Sequence, residues 1–346
     1  MADIEWKSNQ LILKAVLFKA SDIHIFPAKH YSQIKFRIDH QIVVIEKICN
    51  RDAEKLISHF KFRSKMDIGE RRRPQNGALD IAIENRQINL RFSTLPTIPH
   101  ESLSIRILPQ DEVFTLNQLA LFNKHTEILK SLMEKAHGLL LISGPTGSGK
   151  TTTIYSLLFN SLTRNKRIIS IEDPVEKRTD AFIQIEINEK AGLTYEEALK
   201  AALRHDPDII MIGEIRDEKT AKIVVRAAMT GHLVVSTLHA KNTLSCISRL
   251  KEFGISEHDI RETVIGLVSQ RLLQLQCPYC GDECSVVCRV YRETRRLAVY
   301  EIMAGKALEA QFDGEETVFY ETLEQGIAKS VALGFVSKGE YERWLC

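Results

Sequence analysis

The feature that most restricts the fold of this chain is a glycine-rich stretch, Gly144-Pro145-Thr146-Gly147-Ser148-Gly149-Lys150-Thr151. It follows an apolar run, residues 138–143, that favours a strand, and it precedes residues 152–160, which can form a helix. Glycines let the backbone curl so that successive N–H groups point at phosphate oxygens, and the helix N-terminus adds a favourable dipole. The succession of strand, loop and helix predicts a P-loop that binds a nucleoside triphosphate, and it argues against the alternative of a merely flexible turn.

The residues that close this stretch predict how the nucleotide would be held. Lys150 would reach the β and γ phosphates, and the hydroxyl of Thr151 would ligate Mg²⁺. Thr152, which opens the helix, is included among the nucleotide-binding residues. We therefore expect ATP and Mg²⁺ as the substrate and its metal.

Length and composition indicate a multidomain chain without a membrane span. At 346 residues the chain exceeds the size at which one hydrophobic core usually keeps growing, so two or three domains are expected. Hydrophobic residues make up 44% and charged residues 27%, but no apolar run approaches the ~18 residues that span a bilayer. The first ten residues, MADIEWKSNQ, lack the apolar segment of a secretory signal. These features predict a cytoplasmic chain.

Residues 1–108 are expected to form a small α+β domain. Polar and apolar residues alternate in segments 33–38 and 87–92, as in half-buried strands, and helical patterns occur at about 8–20 and 51–64. Prolines and polar residues then predict a linker over residues 109–118.

Residues 119–276 are predicted to form the nucleotide-binding domain. Strand-like apolar runs there alternate with helical stretches, which implies a mostly parallel sheet covered on both faces. A capping box, Thr194 with Glu197, predicts the start of one helix. The strand-like runs are 139–142, 168–171, 183–187, 209–212 and 233–236. The predicted fold class is α/β, a RecA-like P-loop NTPase domain preceded by a smaller α+β domain.

Two of these runs end in acidic residues. Run 168–171 leads into Glu172, with Pro174 ending the strand, and run 209–212 leads into Glu214. Parallel sheets gather such side chains at the carboxyl ends of their strands, and triphosphate hydrolysis needs a carboxylate that orients or deprotonates water. Glu214 is the preferred catalytic base. Exposed acidic residues that merely end strands are the alternative interpretation.

Histidines flank the next run. His232 precedes residues 233–236 and His239 follows them. A neutral imidazole at a strand end beside the γ-phosphate is able to hydrogen-bond it, although a single histidine in such a place usually has a structural role.

Four blocks in this order and spacing resemble the type II secretion and type IV pilus assembly ATPase family. They are residues 144–151, an aspartate box at 171–176, an atypical Walker B stretch at 206–217 and a histidine box at 231–239. Segments 20–25, 36–39, 73–77, 90–97 and 104–108 are similar to the family's second N-terminal domain. The resemblance covers roughly residues 14–280.

The resemblance implies roles for residues already singled out. Lys150 and Thr151 would contact phosphate and Mg²⁺, and His232 and His239 would lie near the γ-phosphate. Glu214 would act on the attacking water, and Glu172 would act on Mg²⁺ through a water molecule.

The resemblance also implies an assembly. Arg91 and Arg106 match arginines of the N-terminal domain that reach nucleotide across or between subunits, which is the role of an arginine finger, while a surface salt bridge is the alternative. A homo-oligomer, in the form of a hexamer, is expected on the inner face of the cell membrane, docked on a polytopic membrane platform protein. We expect no counterpart of the first N-terminal domain of larger assembly motors, and docking would then use another surface.

Four of the seven cysteines, Cys277, Cys280, Cys284 and Cys288, form a cluster with C-x2-C-x3-C-x3-C spacing. In a reducing compartment such a cluster points to metal, and four thiolates would enclose a structural Zn²⁺ that has no open position. Unliganded or redox-active thiols are the alternative. Larger relatives separate two pairs by a long insert, and the compact form is most similar to competence pseudopilus ATPases of Gram-positive bacteria. Residues 277–288 thus form their own segment, and residues 289–346 are expected to be helical.

Two other functional classes stay open on the sequence alone. A nucleic-acid motor would share the P-loop, but 47 basic against 45 acidic residues leave a net charge of +2, so no direct nucleic-acid partner is expected. A nucleotide-gated scaffold with little turnover is the third possibility. The resemblance favours a motor that assembles a pilus-like filament for DNA uptake or protein secretion, and it favours assembly over retraction.

Overall fold

The computed structural model describes residues 2–39, 41–83, 86–110, 114–281, 284–292, 294–314 and 320–345. These residues cluster into two compact units, Met1–Glu112 with Glu283–Glu293, and Val113–Asp282 with Thr294–Cys346. Residues 111–113 of the expected linker lie outside the described ranges. Within those ranges, no helix combines the length and apolar character that crossing a bilayer requires.

In the N-terminal unit, six described strands form an antiparallel sheet in the order β3-β2-β1-β6-β5-β4. The strands are β1 Asp22–Pro27, β2 Ser32–Ile38, β3 Gln41–Ile48, β4 Gln75–Ile83, β5 Arg86–Pro96 and β6 Glu101–Pro109, and the helices are α1 Ala2–Leu17 and α2 Asn50–Arg63. Alternate residues of β2 are buried, and Phe60 of α2 packs against Phe92 of β5 with ring centroids 5.6 Å apart. The predicted α+β character is confirmed.

Helix α1 begins about six residues before the predicted start. The polar composition of its first turns hides the amphipathic pattern, yet Ile4 packs against the core and Ser8 is fully buried. Ser8 avoids an unpaired buried hydroxyl by donating a hydrogen bond to the carbonyl of Glu5 at 2.8 Å.

In the second unit, seven described strands form one sheet in the order β13-β12-β7-β11-β10-β8-β9. The strands are β7 Gly138–Ser143, β8 Ile168–Glu172, β9 Ile183–Glu186, β10 Ile209–Ile212, β11 Leu233–Leu238, β12 Val264–Gln274 and β13 Arg296–Ala304. Neighbouring strands are parallel except for the antiparallel pair β12 and β13. The predicted fold class, with its mostly parallel sheet, is therefore confirmed.

Helices and short turns cover both faces of this sheet and contribute apolar side chains to one buried cluster on each side. The helices are α3 Leu116–Leu119, α4 Asn123–Met133, α5 Lys150–Leu162, α6 Tyr195–Ala202, α7 Glu218–Met229, α8 Thr243–Glu252, α9 Glu257–Thr263, α11 Lys306–Asp313, α12 Leu323–Ala332 and α13 Lys338–Leu345; α10 Val286–Tyr291 belongs to the N-terminal unit, and 3-10 turns occupy Glu189–Ala191 and Leu203–His205. The Thr194 hydroxyl accepts a hydrogen bond from the Glu197 N–H at 3.3 Å, which confirms the predicted helix start.

The expectation that residues 289–346 are only helical is wrong. Strand β13 lies in this segment and pairs along its whole length with β12, from Arg296 opposite Gln274 to Ala304 opposite Gly266. Residues 298–303 are all buried. A strand covered on both faces has no polar and apolar alternation, and a short apolar run of this kind cannot be told from a helix by periodicity.

The N-terminal unit contains a buried ion pair. The Lys61 ammonium donates to both carboxylate oxygens of Glu101, each at 3.0 Å, and to the carbonyl of Glu70 at 2.6 Å. The two side chains are 1% and 6% exposed. A buried ammonium that loses its carboxylate partner is strongly destabilising.

We therefore expect Glu101→Gln to lower the free energy of unfolding of the N-terminal unit by about 3 kcal/mol. The matched control is Glu54→Gln, whose contact with Arg71 is exposed and should contribute less than about 1 kcal/mol. Urea unfolding followed by the fluorescence of Trp6, in a Trp344→Phe background, measures this unit, because the chain has two tryptophans. Equal losses for the two variants would contradict the expectation.

Candidate functional site

The glycine-rich loop leaves the carboxyl end of β7 and leads directly into α5. Gly144, Gly147 and Gly149 have φ angles of 149°, 80° and 86°, in the region that favours glycine. Thr151 and Thr152 lie in the first turn of α5, where backbone N–H groups have no partner within the helix. The curled backbone and the helix N-terminus together fit phosphate oxygens, as the sequence predicts.

The Lys150 side chain folds back over this loop. Its ammonium donates to the carbonyls of Gly144 and Pro145 at 2.8 and 3.2 Å. Burial lowers the pKa of Lys150, while the nearby carboxylates of Glu214 and Glu176 act in the opposite direction. The cation thus lies among the P-loop carbonyls, under the influence of two acidic residues from the loops after β10 and β8.

Strand β12 supports the loop from the other side. The amide of Gln270 donates to the carbonyl of Ser148 at 2.7 Å. Ser143 and Ser269 share a hydrogen bond of 2.5 Å between their hydroxyls. A Cβ atom added at Gly144 would lie 2.6 Å from the backbone carbonyl oxygen of Gln270. Sequence reasoning missed Gln270. Its one signal is a polar amide in a strand of mostly apolar residues.

The structure brings Glu214 and His239 together. Glu214 follows β10, His239 follows β11, and these strands are parallel neighbours whose carboxyl ends reach the same edge of the sheet. The Nε2 atom of His239 is 2.8 Å from Oε1 of Glu214, whose side chain is 20% exposed. The carboxylate therefore contacts an imidazole at the sheet edge from which the P-loop begins, and it keeps access to solvent.

Arg216 is a second partner of this carboxylate that sequence reasoning missed. Its Nε donates to Oε2 of Glu214 at 3.0 Å, and its Nη1 lies 3.4 Å from Oδ2 of Asp173. The guanidinium thereby connects the loop after β10 with the acidic loop after β8. Its presence two residues after Glu214, in the predicted Walker B stretch, was the available signal.

Glu172 ends β8 in a different environment. It is 3% exposed, and its Oε1 accepts a hydrogen bond from the Tyr155 hydroxyl at 2.8 Å. Burial raises the pKa of Glu172, and hydrogen bonds from the side chains of Ser170 and Tyr155 work against that rise. The two predicted acids thus lie at the same edge of the sheet but differ sharply in their access to water.

His232 is not brought to the P-loop within this chain. Strands β11 and β7 are parallel and in register, with Leu233 opposite Gly138 and Leu238 opposite Ser143. The carbonyl of His232 accepts from the N–H of Gly138, at the start of β7, whereas the P-loop follows its end. At ~3.3 Å per residue the strand separates the two by roughly 17 Å. A strand of this length puts His232 and His239 at opposite edges of the sheet, so within one chain His239 lies at the P-loop edge and His232 does not. The expected place of both histidines near the γ-phosphate stays a prediction.

Arg91 and Arg106 lie side by side in the N-terminal unit, directly opposite each other on β5 and β6. The side chain of Arg106 is 61% exposed, and its Nε donates to the buried carboxylate of Asp22 at 3.1 Å. Arg91 is half-buried. A guanidinium that is held through Nε by a carboxylate and is otherwise exposed is suited to an anionic partner. The assignment of Arg91 and Arg106 as arginine fingers stays a prediction.

The four clustered cysteines point their sulfur atoms toward one another. The Sγ atoms of Cys277, Cys280, Cys284 and Cys288 all lie within 4.8 Å of each other. A turn at Gly281, whose N–H donates to the carbonyl of Cys277 at 2.9 Å, and the start of α10 bring them together. Tetrahedral zinc with Zn–S bonds of about 2.3 Å places its sulfurs about 3.8 Å apart, so a small contraction would complete the site.

Comparison with known proteins identifies relatives along the whole chain. The sequence model of the family described as Type II/IV secretion system protein matches residues 1–339. The competence protein ComGA of Bacillus subtilis is 48% identical over 351 residues, covering 100% of this chain and 99% of that protein. Type II secretion system protein E of Pectobacterium carotovorum is 38% identical over 275 residues, or 79% of this chain and 55% of that protein.

A solved structure has the same architecture. The pilus retraction motor PilT, crystallised with bound ADP, is 25% identical with a TM-score of 0.67, covering 97% of this chain and 96% of that one.

The contact between the P-loop and β12 predicts that alanine is more destabilising at Gly144 than at Gly147. Gly144→Ala should lower the free energy of unfolding of the second unit by about 3 kcal/mol, because the new methyl group meets a backbone carbonyl that cannot rotate away. Gly147→Ala meets nothing within 4 Å, so its cost should be the backbone strain of about 1 kcal/mol. Thermal and urea unfolding without nucleotide measure both variants. Similar losses would mean that β12 does not constrain the loop.

Proposed function

The chain belongs to the type II/IV secretion system protein family, and from that premise we propose that it is an ATPase motor for assembly of a competence-type pseudopilus. The observation that carries the proposal is the contact of Glu214 with His239 at the carboxyl edge of the parallel sheet, the edge from which the P-loop with Lys150 also begins. A phosphate-binding lysine beside a solvent-accessible carboxylate is the arrangement that triphosphate hydrolysis needs.

In the proposed reaction, the P-loop N–H groups and Lys150 hold the β and γ phosphates. Thr151 would ligate Mg²⁺, and Glu172 would contact the ion through water. The ion supplies charge neutralisation at the phosphates when it is bound. Glu214 orients the attacking water and accepts its proton, while His239 and Arg216 fix the two carboxylate oxygens. The contact of His239 with Glu214 would also let the imidazole respond to the γ-phosphate.

The proposed assembly is a hexamer in which Arg91 and Arg106 contribute positive charge between subunits. The family resemblance of the N-terminal segments supports this, as does the exposure of the Arg106 guanidinium. Charge from an arginine stabilises the γ-phosphoryl group as it leaves. Hydrolysis would then move the N-terminal and ATPase units and perform work on protein.

The proposed partner is a polytopic membrane protein that serves as the platform of the pilus machine, with the motor on the cytoplasmic face of the membrane. The similarity to ComGA over nearly its full length supports assembly of a competence pseudopilus over retraction, with DNA uptake as the downstream purpose. The lower identity to the retraction motor PilT points in the same direction.

Glu214→Gln should bind ATP with nearly unchanged affinity and hydrolyse it at least about a hundredfold more slowly, since removal of a general base costs that much or more. Phosphate release measures turnover, and a fluorescent ATP analogue measures binding. The matched control is Glu218→Gln, an exposed residue paired with Lys222 that should keep its activity. Turnover near the wild-type rate in Glu214→Gln would refute the proposed base.

The same assay separates the competing functional classes. Lys150→Ala should abolish turnover because the phosphates lose their cation, and single-stranded DNA should leave the wild-type rate unchanged. Strong, salt-sensitive stimulation by DNA would identify a nucleic-acid motor instead. A protein without turnover whose Lys150→Ala variant still supports filament assembly in cells would be a scaffold.

The cysteine cluster should hold one structural Zn²⁺ per chain. Elemental analysis of freshly purified, reduced protein is expected to find about one zinc, which Cys277→Ser with Cys280→Ser removes because two of the four ligands are lost. Cys49→Ser, which changes an exposed cysteine outside the cluster, should keep the metal. Reduced protein without zinc would exclude the site.

A further inference from the structure

A buried polar cluster lies behind the P-loop, around the hydroxyl of Tyr155. This tyrosine belongs to α5, is 3% exposed and packs its ring against Phe182 at 5.8 Å and Phe159 at 6.4 Å between centroids. Its hydroxyl donates to Oε1 of Glu172 at 2.8 Å and accepts from the amide of Gln184 at 2.9 Å. Packing alone would be satisfied by phenylalanine, so the hydroxyl needs an explanation of its own.

The partners of Tyr155 connect the Glu172 carboxylate to the loop that joins β8 and β9. Gln184 lies on β9, opposite Ser170 of β8. Its amide N–H group also donates to the carbonyl of Lys177 at 2.8 Å, and its amide oxygen accepts from the N–H of Thr179 at 2.8 Å. The Tyr155 hydroxyl is 3.0 Å from the same Lys177 carbonyl. The network therefore holds the loop between β8 and β9 at two residues, Lys177 and Thr179.

The position of Tyr155 on α5 gives this network its significance. Thr151, which would ligate Mg²⁺, precedes Tyr155 by four residues on the same helix. Residues four apart lie on one face of a helix, one turn after the other. One rigid element thus sets the positions of the Thr151 hydroxyl and of the hydroxyl that holds Glu172.

We propose that Tyr155 is a positioning residue for ATP hydrolysis, which orients Glu172 relative to the P-loop helix. The inference rests on the proposed function and deepens it. The Tyr155 hydroxyl lies 2.8 Å from Oε1 of Glu172, so this buried carboxylate cannot turn away without losing that bond, and few water molecules reach it to replace the donor. Without the hydroxyl, Glu172 and the acidic loop would take up several orientations, of which few suit catalysis.

Tyr155→Phe in the full-length protein should lower kcat about tenfold and leave KM for ATP within about twofold, because a hydrogen bond to a charged group is lost while the P-loop is untouched. The matched control is Tyr300→Phe. Tyr300 is also fully buried, and its hydroxyl is 3.1 Å from that of Thr153 on the same helix, but its partner is not an acidic residue. This control should keep kcat within about twofold of wild type.

A double-mutant cycle tests whether Tyr155 acts through Glu172. The combination of Tyr155→Phe with Glu172→Gln should be no slower than Glu172→Gln alone, because the second change removes the group that the first one positions. Losses that multiply, or a rise in KM that accounts for the effect of Tyr155→Phe, would overturn the inference.

The remaining outcomes are also decisive. If wild-type protein has no turnover, the proposed function fails, whereas an active wild type with an equally active Tyr155→Phe variant overturns this inference alone. Thermal unfolding checks that the variant is folded. Should it not fold, Gln184→Leu replaces it, since loss of that amide frees the Tyr155 hydroxyl and should lower kcat about threefold at unchanged KM; an unchanged kcat overturns the inference.

Discussion

Parallel hydrogen bonding among β7, β11, β10 and β8 is the constraint on which the candidate site depends. Parallel strands end at the same edge of a sheet, so residues that are far apart in sequence meet there. Glu172 is the last residue of β8, and the P-loop, Glu214 and His239 follow β7, β10 and β11 within two residues. The same constraint keeps His232 away, since it precedes its strand.

The two acidic residues at this edge have different surroundings, and these suit different tasks. Glu214 is held by His239 and Arg216 and keeps contact with water, as a base that activates water must. Glu172 is buried and held by Tyr155, as suits a group that acts at one fixed position. Burial and hydrogen-bonding partners, and not residue type, separate their proposed roles.

Much of the architecture could be predicted because the relevant signals are local. Five apolar runs predicted the strands from β7 to β11, whereas none of them predicted β12, and the capping residue Thr194 predicted a helix start. Strand β13 was missed because burial on both faces removes the alternation that identifies a strand. Tyr155 and Gln270 were missed because their partners lie on other elements, so their spacing in the sequence carries no signal. Arg216 lies two residues from Glu214, but its second partner, Asp173, lies on another loop.

Local features of the chain identify the P-loop, the acids and histidine at strand ends, and the compact cysteine cluster, since each depends on neighbouring residues. Which of them meet depends on the tertiary structure. It joined Glu214 to His239, separated His232 from the P-loop and supplied Tyr155, Arg216 and Gln270 as supports. The physical reason is that strand order and register, which are set by packing between distant segments, fix the distances on which hydrogen bonds and charges act.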